Sequence, residues 1–242
     1  YMIYRYNRAL VRKKNTTDES ILGLIKNQNM EMLEDGTRKN AVLASSQRDY
    51  IAGEVSKDLT KRLLLPEKIV KAHEEGVLYF HDMDYFLQPI FNSSVINIGD
   101  MLYNGTVING KLIESPKSFR VACTVLAQIL ATVASTQYGG QSVNISHLGK
   151  YVRKSYEKFK EEFGGVTSKE ILDKKIKEEV TSGVQTLQYQ INTLMTTNGR
   201  SPLVSLFMYL REDDEYIKEN ALIIEEILKQ RIEGMKDAEG KY

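Results

Sequence analysis

The sequence predicts an α/β fold in which long helices connect short strands. The clearest strand is residues 203–209, Leu-Val-Ser-Leu-Phe-Met-Tyr, a run of the kind that is buried on both faces of a sheet. Shorter apolar runs predict two more strands, at 77–80 and at 95–98. Long helical patterns separate these strands, and this alternation is typical of α/β proteins, here as a segment of a larger barrel.

The first part of the chain is polar and carries helix signals. Residues 1–14 alternate tyrosines with arginines and lysines, so they predict a helix that is either solvated or suited to contacting phosphates. Thr17-Asp18-Glu19-Ser20 is a helix-cap signal in front of the apolar residues 21–25. Residues 27–43 are polar and rich in asparagine, which predicts an irregular linker.

Two helices are predicted before the strand at 77–80. The first begins near Ser46, and its apolar residues recur at helical spacing: Tyr50, Ile51, Val55, Leu59 and Leu63. Pro66 ends this helix because proline lacks an amide hydrogen, and its fixed φ suits the start of a second helix at 67–74. Gly76 is the expected stop of that second helix.

A long and nearly uncharged helix is predicted from Ser115. Ser115 is the expected N-cap, and Pro116 suits the first helical position. The helical pattern continues to about Gln137, and Gly139-Gly140 stops it. Most of this helix is uncharged and rich in small side chains, so we expect it to be buried within the chain or against a second subunit. Cys123 lies inside it and is expected to be a packing residue.

Turn signals and amphipathic patterns organise the remaining residues. Asn-Gly pairs at 104–105 and 109–110 predict turns in a loop before the long helix, and residues 196–202 predict another loop. Three further helices are predicted, with a break at Gly164-Gly165 after the first of them: 151–163, 168–192 and 213–235.

The composition excludes several classes of protein. The 242 residues include 33 basic and 32 acidic side chains, a balance that gives no indication of nucleic acid or an anionic membrane as a partner. No apolar run reaches the roughly 18 residues of a membrane span, and the start does not resemble a signal peptide. We therefore expect a cytoplasmic protein. Both ends interrupt a predicted element, so we also expect a fragment of a longer polypeptide.

The cysteine and histidine residues do not suggest a metal site. Cys123 is the single cysteine, so no internal disulfide is possible. His73, His81 and His147 are scattered along the chain without the spacing of zinc ligands. We expect no metal in this segment.

A series of motifs along the chain identifies the family that this sequence resembles. They are Gln47-Arg48-Asp49-Tyr50, Tyr79-Phe80-His81-Asp82, Phe91-Asn92, Glu114-Ser115-Pro116-Lys117-Ser118-Phe119, Gln137-Tyr138-Gly139-Gly140, Asn198-Gly199-Arg200-Ser201-Pro202 and residues 224–234. Together they resemble the large subunit of anaerobic (class III) ribonucleoside-triphosphate reductases. The resemblance implies that residues 46–242 are the N-terminal portion of the ten-stranded barrel shared by ribonucleotide reductases and glycyl-radical enzymes. It also implies that 1–20 end an ATP-cone domain and that 21–45 are a linker.

The resemblance implies radical reduction of ribonucleoside triphosphates to deoxyribonucleoside triphosphates. In this family a glycyl radical, formed by a radical-SAM activating enzyme, generates a protein thiyl radical, and both radical sites are expected beyond Tyr242. A second cysteine reduces the substrate, and Ser93 occupies its position. A serine hydroxyl forms no disulfide and its O–H bond is stronger than S–H, so reduction here should fail. The resemblance places further residues beside the catalytic pocket: His81, Asn92, Gly139, Gly140 and Gln141.

The resemblance also implies an allosteric site at a homodimer interface. There the helix after Ser115 packs against its two-fold mate, and a deoxynucleoside triphosphate or ATP binds as effector. Glu114, Lys117 and Gln128 offer the donors and acceptors that distinguish nucleobases. Lys117 is expected at a helix N-terminus, where the amide dipoles favour an anion. The alternative is that Glu114 and Lys117 are ordinary surface charges.

Other interpretations stay open at this point. The chain is a non-catalytic nucleotide-binding or dimerisation module, another glycyl-radical enzyme such as a formate-lyase relative, or a fragment whose exposed strand edges prevent folding. His81 is alternatively a satisfied histidine at the end of a strand. Ser93 with His81-Asp82 suggests a hydrolytic triad, but no nucleophile-elbow pattern surrounds it. Gly139-Gly140-Gln141-Ser142 lacks the lysine of a P-loop.

Overall fold

A computed structural model describes residues 16–26, 43–88, 90–137, 139–164, 168–194, 196, 202–236 and 239–240. These residues fall into two compact units, one up to Ile90 and one from Phe91 onward. The predictions for 1–14 and for nearly all of 27–43 and 196–202 lie outside the described residues. No helix in the described ranges is both long and apolar enough to cross a membrane.

The first unit is helical. Its elements are α1 (Thr16–Ile25), α2 (Ala44–Leu59), a π-helical turn (Thr60–Leu64) and α3 (Glu67–Glu74). Leu24 of α1 is buried against Tyr50 and Ile51 of α2, so the predicted helix from Ser46 is confirmed. Its predicted apolar face is confirmed only at these two residues, since Val55 and Leu63 are exposed. The π-helical turn carries that helix on to Leu65, directly before Pro66.

The strand predicted at 77–80 is wrong. Residues 75–88 form successive turns, and the side chains of Val77 and Tyr79 are each 77% exposed. The backbone amides of Val77 and Leu78 both donate to the Ala72 carbonyl, at 2.9 and 3.2 Å, because they cap the end of α3. Donors used for capping are not available for a sheet, and apolar composition alone did not reveal this.

The second unit contains a small parallel sheet with helices. Its elements are β1 (Ser94–Ile96), α4 (Ile98–Asn104), β2 (Thr106–Ile108), β3 (Lys111–Ile113), α5 (Phe119–Ala134), β4 (Gln141–Asn144), a 3-10 helix (Ile145–Leu148), α6 (Gly149–Glu162), α7 (Lys169–Thr193), β5 (Val204–Phe207) and α8 (Ile217–Glu233). The strands β1, β4 and β5 are parallel in the order β1-β4-β5. Long helices connect them, so the predicted α/β class is confirmed.

Two predicted strands are shorter than expected. The strand at 95–98 ends at Ile96 because the Asn97 side chain accepts a hydrogen bond from the Asp100 amide and starts α4. The strand at 203–209 is reduced to β5, whose residues alternate between half-buried and exposed. The prediction that β5 is buried on both faces is therefore wrong for the described chain, since Phe207 is 38% exposed.

The Asn-Gly pair at 109–110 closes a hairpin in a segment predicted as a loop. β2 and β3 pair antiparallel, with Ile108 opposite Lys111. Asn109 and Gly110 have φ values of 50° and 72°. Two successive residues with positive φ are the requirement of the tight turn that suits a two-residue hairpin, and Asn-Gly is its preferred sequence.

The long helix is confirmed, but its boundaries differ from the prediction. α5 begins at Phe119, and Ser118 is its N-cap, accepting a hydrogen bond from the Val121 amide at 3.4 Å. Ser115 is therefore not the cap, and Pro116 is buried in the preceding loop. The helix ends at Ala134, three residues before the predicted limit at Gln137.

The core of the second unit lies between α5 and its neighbouring helices. Phe119, Leu126 and Leu130 of α5 are fully buried. Residues of the sheet, of the 3-10 helix and of the helices α4, α6, α7 and α8 complete the cluster, among them Leu102, Val143, Val152, Val184, Leu187, Ile223 and Ile227. The helices predicted at 151–163, 168–192 and 213–235 are confirmed as α6, α7 and α8.

Candidate functional site

Two segments named in the sequence analysis meet at the amino-terminal ends of β1 and β4. The backbone amide of Ser94 donates to the Gly140 carbonyl at 3.1 Å, and Phe91 forms a parallel bridge with Gln137. The amide of Gln141 donates to the Leu203 carbonyl at 2.8 Å, which joins the start of β5 to the same edge. Residues more than 40 positions apart in sequence are thus brought together by strand pairing.

Gly139 permits the contact between these segments. A Cβ atom on Gly139 would lie 1.8 Å from the backbone oxygen of Asn92 and 2.2 Å from its Oδ1 atom. A Cβ on Gly140 would meet only Leu203, at 3.6 Å or more. Both glycines were expected beside the catalytic pocket, and Gly139 is in close contact with the Asn92 segment of the same chain.

Ser93 lies at the surface of this contact. Its side chain is exposed, and its hydroxyl donates a hydrogen bond to Asn92 Oδ1 at 3.1 Å. The next residue, Ser94, donates from its hydroxyl to Gln137 Oε1 at 2.7 Å. The residues on both sides of Ser93 are therefore held by the loop that follows α5, while the Ser93 side chain itself faces outward.

Gln141 differs from its expected role at the substrate. Its side chain is 1% exposed, and its Nε2 atom donates to the Leu130 carbonyl of α5 at 2.8 Å. Its Oε1 atom is buried without a hydrogen-bond partner among the described residues. The Gln141 side chain points to the helical core, so it ties β4 to α5 instead of reaching outward.

His81 belongs to the first unit. Its side chain is 70% exposed, and its Nδ1 atom lies 2.7 Å from Asp82 Oδ1. Asp82 has a φ of 55°, in the left-handed region that non-glycine residues rarely adopt. The Tyr79 ring packs edge-on against the His81 ring at 5.8 Å. The predicted strand end is thus a tight turn in which an aspartate orients the imidazole.

Glu114 and Lys117 extend from a firmly anchored loop. Both side chains are exposed, whereas Pro116 between them is buried. The Tyr151 side chain is hydrogen-bonded with Ser115, and Lys154 Nζ donates to the Pro116 carbonyl at 3.3 Å. Burial, and secondly the nearby Lys150, lower the pKa of Lys154. The sequence analysis missed Lys154, because only the packing of α6 brings it beside residues 114–117.

The first turn of α5 does not offer free amides to an anion. The Phe119 amide donates to Ser155 Oγ at 2.9 Å, and the Arg120 amide donates to Glu179 Oε1 at 3.1 Å. Ser118 accepts from the Val121 amide. The expectation that the helix N-terminus helps Lys117 to bind a phosphate is therefore wrong, since a carboxylate of α7 already occupies that position.

Gln128 is not next to the other two predicted effector residues. It is an exposed residue nine positions after Phe119, the first residue of α5. At 1.5 Å per residue this is about 14 Å along the helix axis. Glu114 and Lys117 precede the helix. One chain therefore presents Gln128 and the 114–117 loop as two separate groups on its surface.

Most small residues of α5 pack inside the chain. Ala122, Ala127 and Ala134 are buried, and Cys123 is fully buried. Burial, and secondly Glu179, raise the pKa of the Cys123 thiol far above its usual range, which agrees with a packing role. The helix was expected to be buried within the chain or against a second subunit, and these residues are buried within the chain. A Cβ on Gly183 of α7 would lie 2.6 Å from the Phe119 ring and 3.3 Å from Cys123 Sγ, so α7 approaches α5 closely here.

A cavity of about 970 Å³ lies at the opposite edge of the sheet, near the carboxyl ends of the strands. Charged side chains that line it interact with other side chains of the chain. Arg211 forms an ion pair with Asp213 at 2.7 Å, and Lys150 Nζ lies 4.2 Å from the centre of the Tyr103 ring. Ser93, Gly139 and Gly140 do not line this cavity. Ser93, Gly139 and Gly140 lie instead at the amino-terminal edge of the sheet.

Comparison with known proteins identifies the family. The model of the family described as anaerobic ribonucleoside-triphosphate reductase matches residues 38–241. The chain belongs to the anaerobic ribonucleoside-triphosphate reductase family. It is 37% identical to the anaerobic ribonucleoside-triphosphate reductase of Haemophilus influenzae, over 97% of this chain and 34% of that protein. It is 35% identical to that of Escherichia coli K12, over 97% of this chain and 33% of that protein.

A solved structure supports the reductase fold. The anaerobic ribonucleotide reductase of Thermotoga maritima with dATP bound in the specificity site has a TM-score of 0.54 and 13% identity, covering 86% of this chain and 36% of that one. At this identity the likeness concerns the fold alone. The chain spans about a third of the length of the curated relatives that it matches.

Proposed function

We propose that this chain is part of the catalytic body of an enzyme that reduces ribonucleoside triphosphates to deoxyribonucleoside triphosphates. The observation that carries the proposal is the contact between two family motifs, the one with Phe91-Asn92 and the one with Gly139-Gly140, at one edge of the sheet in a chain of this family. The exposed Ser93 side chain would face the ribose, and Gly140 would leave room for it. We propose with it a ribonucleoside triphosphate as substrate, a cytoplasmic setting, and two partners: an activating enzyme and a second copy of the protein.

The proposed reaction needs groups that this chain does not carry. A glycyl radical on another segment, formed by a radical-SAM activating enzyme, would generate the thiyl radical that removes the 3′-hydrogen. A thiol at position 93 would then give its hydrogen atom to the substrate radical as the 2′-hydroxyl leaves as water, and an external donor, formate or a thiol, would reduce the sulfur radical that remains. Ser93 cannot do so, because its O–H bond is stronger than S–H and a serine forms no disulfide. This chain would therefore bind the substrate without reducing it.

We expect Ser93→Cys in the full-length protein to turn an inactive site into one with measurable turnover. The new thiol would take the exposed place of the Ser93 hydroxyl. The measurement is anaerobic deoxynucleotide formation after treatment with the activating enzyme, with formate and a thiol reductant tested in parallel as electron donors.

Ser94→Cys is the matched control. It adds the same thiol one residue later, but at a half-buried position that is bonded to Gln137. The control should stay inactive. Turnover by the unmodified Ser93 protein would contradict the inference that Ser93 makes this site inactive. Equal turnover of the two variants would contradict the placement of position 93 at the substrate. Binding of nucleotides without turnover in either variant would favour a non-catalytic nucleotide-binding module.

An allosteric effector site at a homodimer interface is the second part of the proposal. Glu114 and Lys117 extend from the anchored loop, whereas Gln128 lies about 14 Å further along α5. A two-fold mate would place its own α5 antiparallel to this one, so that Gln128 of one copy approaches the loop of the other. A deoxynucleoside triphosphate or ATP bound between them would explain why both groups are exposed. The dATP of the Thermotoga maritima reductase supports this class of ligand.

We expect Glu114→Ala/Lys117→Ala to weaken effector binding at least tenfold, which corresponds to about 1.4 kcal/mol. The measurement is calorimetric titration with each deoxynucleoside triphosphate, together with the mass of the protein in solution. The matched control is Glu225→Ala/Lys229→Ala, which removes one acid and one base from an exposed pair on α8. An equal loss of effector affinity in both double variants would contradict the proposed effector site. Tight effector binding by a monomeric protein would contradict it as well.

A further inference from the structure

Gln137 lies between the long helix and the candidate active site. It follows the end of α5 by three residues and is 3% exposed. Its backbone forms the bridge with Phe91, directly before Asn92 and Ser93. A buried carboxamide at such a position needs hydrogen-bond partners, because burying one without partners is destabilising.

The Gln137 side chain connects both segments of the site. Its Oε1 atom accepts the Ser94 hydroxyl at 2.7 Å. Its Nε2 atom donates to the carbonyls of Gly139 and Gly140, at 3.3 and 3.2 Å. The Ser94 amide donates to the same Gly140 carbonyl at 3.1 Å and closes the network. One side chain thus uses its acceptor for the segment before β1 and its donor for the loop before β4.

We propose that Gln137 is a positioning residue that sets the orientation of position 93 relative to the Gly139-Gly140 loop. This inference rests on the proposed function. Asn92 is fixed by its contact with Gly139, and Ser94 is fixed by Gln137, so the residue between them has little freedom to turn. A side chain at position 93 is then presented outward in one direction, as a reacting group requires.

The chemistry of the amide makes a carboxylate a poor substitute. Glutamate at 137 would still accept from the Ser94 hydroxyl, but as a carboxylate it would face the Gly139 and Gly140 carbonyls without a proton to donate. Methionine has a similar length and offers neither a donor nor a strong acceptor. Both variants should therefore release the segment 91–94.

The test uses a thiol introduced by Ser93→Cys as a reporter. Alkylation by iodoacetamide is followed from pH 6 to pH 10 by mass spectrometry of the peptide that contains residue 93. In the intact network the thiol would donate to Asn92 Oδ1, as the Ser93 hydroxyl does at 3.1 Å, and this favours the protonated form. Adding Gln137→Met or Gln137→Glu should raise the alkylation rate at pH 7 at least threefold and shift its pH profile downward.

Two controls distinguish positioning from general loss of structure. Gln185→Met makes the same change at an exposed site of α7 and should leave the rate and its pH profile unchanged. Ser94→Ala removes one hydrogen bond of the network and should change the rate in the same direction by a smaller factor. If the Gln137 variants do not fold, the alkylation rate and pH profile of the Ser94→Ala variant test the inference instead.

An unchanged alkylation rate and pH profile in folded Gln137→Met, or in Ser94→Ala, would overturn the inference. The readout involves no turnover, so it is separate from the test of the proposed function. A reductase whose position 93 is insensitive to Gln137 would refute only the positioning role. A sensitive thiol in a protein that never reduces nucleotides would refute only the proposed function.

Discussion

Gly139→Ala is expected to destabilise the second unit by about 3 kcal/mol or more, at the upper limit of the usual cost of overpacking. The added Cβ would lie 1.8 Å from the Asn92 backbone oxygen, a distance that no rotamer change relieves. Relief requires β1 and β4 to separate at the Ser94–Gly140 hydrogen bond. The measurement is urea unfolding, in which a lower midpoint with an unchanged slope reports lost stability.

Gly140→Ala provides a control at the next residue. Its Cβ would lie 3.6 Å from Leu203 Cδ2, an ordinary van der Waals contact. A glycine in a conformation open to other residues gains about 0.4–1 kcal/mol on substitution by alanine, so stability should stay equal or rise slightly. Equal destabilisation by the two variants would show that the Asn92 contact is not what requires Gly139.

These two glycines illustrate how far the sequence predicts the site. The resemblance placed Gly139 and Gly140 beside the catalytic pocket, and strand pairing brings them into contact with residues 92–94. Which glycine is essential, and that the approaching group is Asn92 of the same chain, follow from the register of β1 on β4. Register depends on contacts between residues far apart in sequence, and a local pattern does not contain them.

The long helices were predictable in approximate extent because their apolar residues recur at helical spacing, whereas the short helix α4 was not predicted. Their ends were less predictable. Ser115 was the expected N-cap, but Ser118 takes this role, while Ser155 and Glu179 accept hydrogen bonds from the next two amides. Those partners come from α6 and α7, so tertiary packing decided where the helix begins.

The contacts of Gln137 and Gln141 could not be predicted from the sequence for the same reason. Gln137 was noted only as part of a motif, and it proves to join both segments of the site. Gln141 was expected beside the substrate, but the alternation of strand residues turns its side chain to α5. The resemblance pointed to the segments 91–94 and 137–141. The hydrogen bonds in the structure were needed to see what each side chain contacts.

The contact of α5 with α7 predicts that the effect of Gly183→Ala on the free energy of unfolding depends on the side chain at position 119. Gly183→Ala would normally stabilise a helix by up to about 1 kcal/mol. Here the added Cβ would lie 2.6 Å from two ring carbons of Phe119, which is fully buried and has no room to move. The overlap costs about 1–3 kcal/mol and outweighs the helical gain, so Gly183→Ala alone should be destabilising.

Phe119→Ala removes that obstacle. Alone it should cost about 3–5 kcal/mol, because it leaves a cavity in the core. In its presence Gly183→Ala should become stabilising by up to about 1 kcal/mol, since the methyl group enters the cavity and the helix gains its preferred residue. Urea unfolding of the four proteins of this double-mutant cycle measures the coupling, and additive effects would contradict direct contact between the two residues. If Gly183→Ala is destabilising alone but stabilising in the presence of Phe119→Ala, the absence of a Cβ at Gly183 is what allows Phe119, at the start of the long helix, to pack against α7.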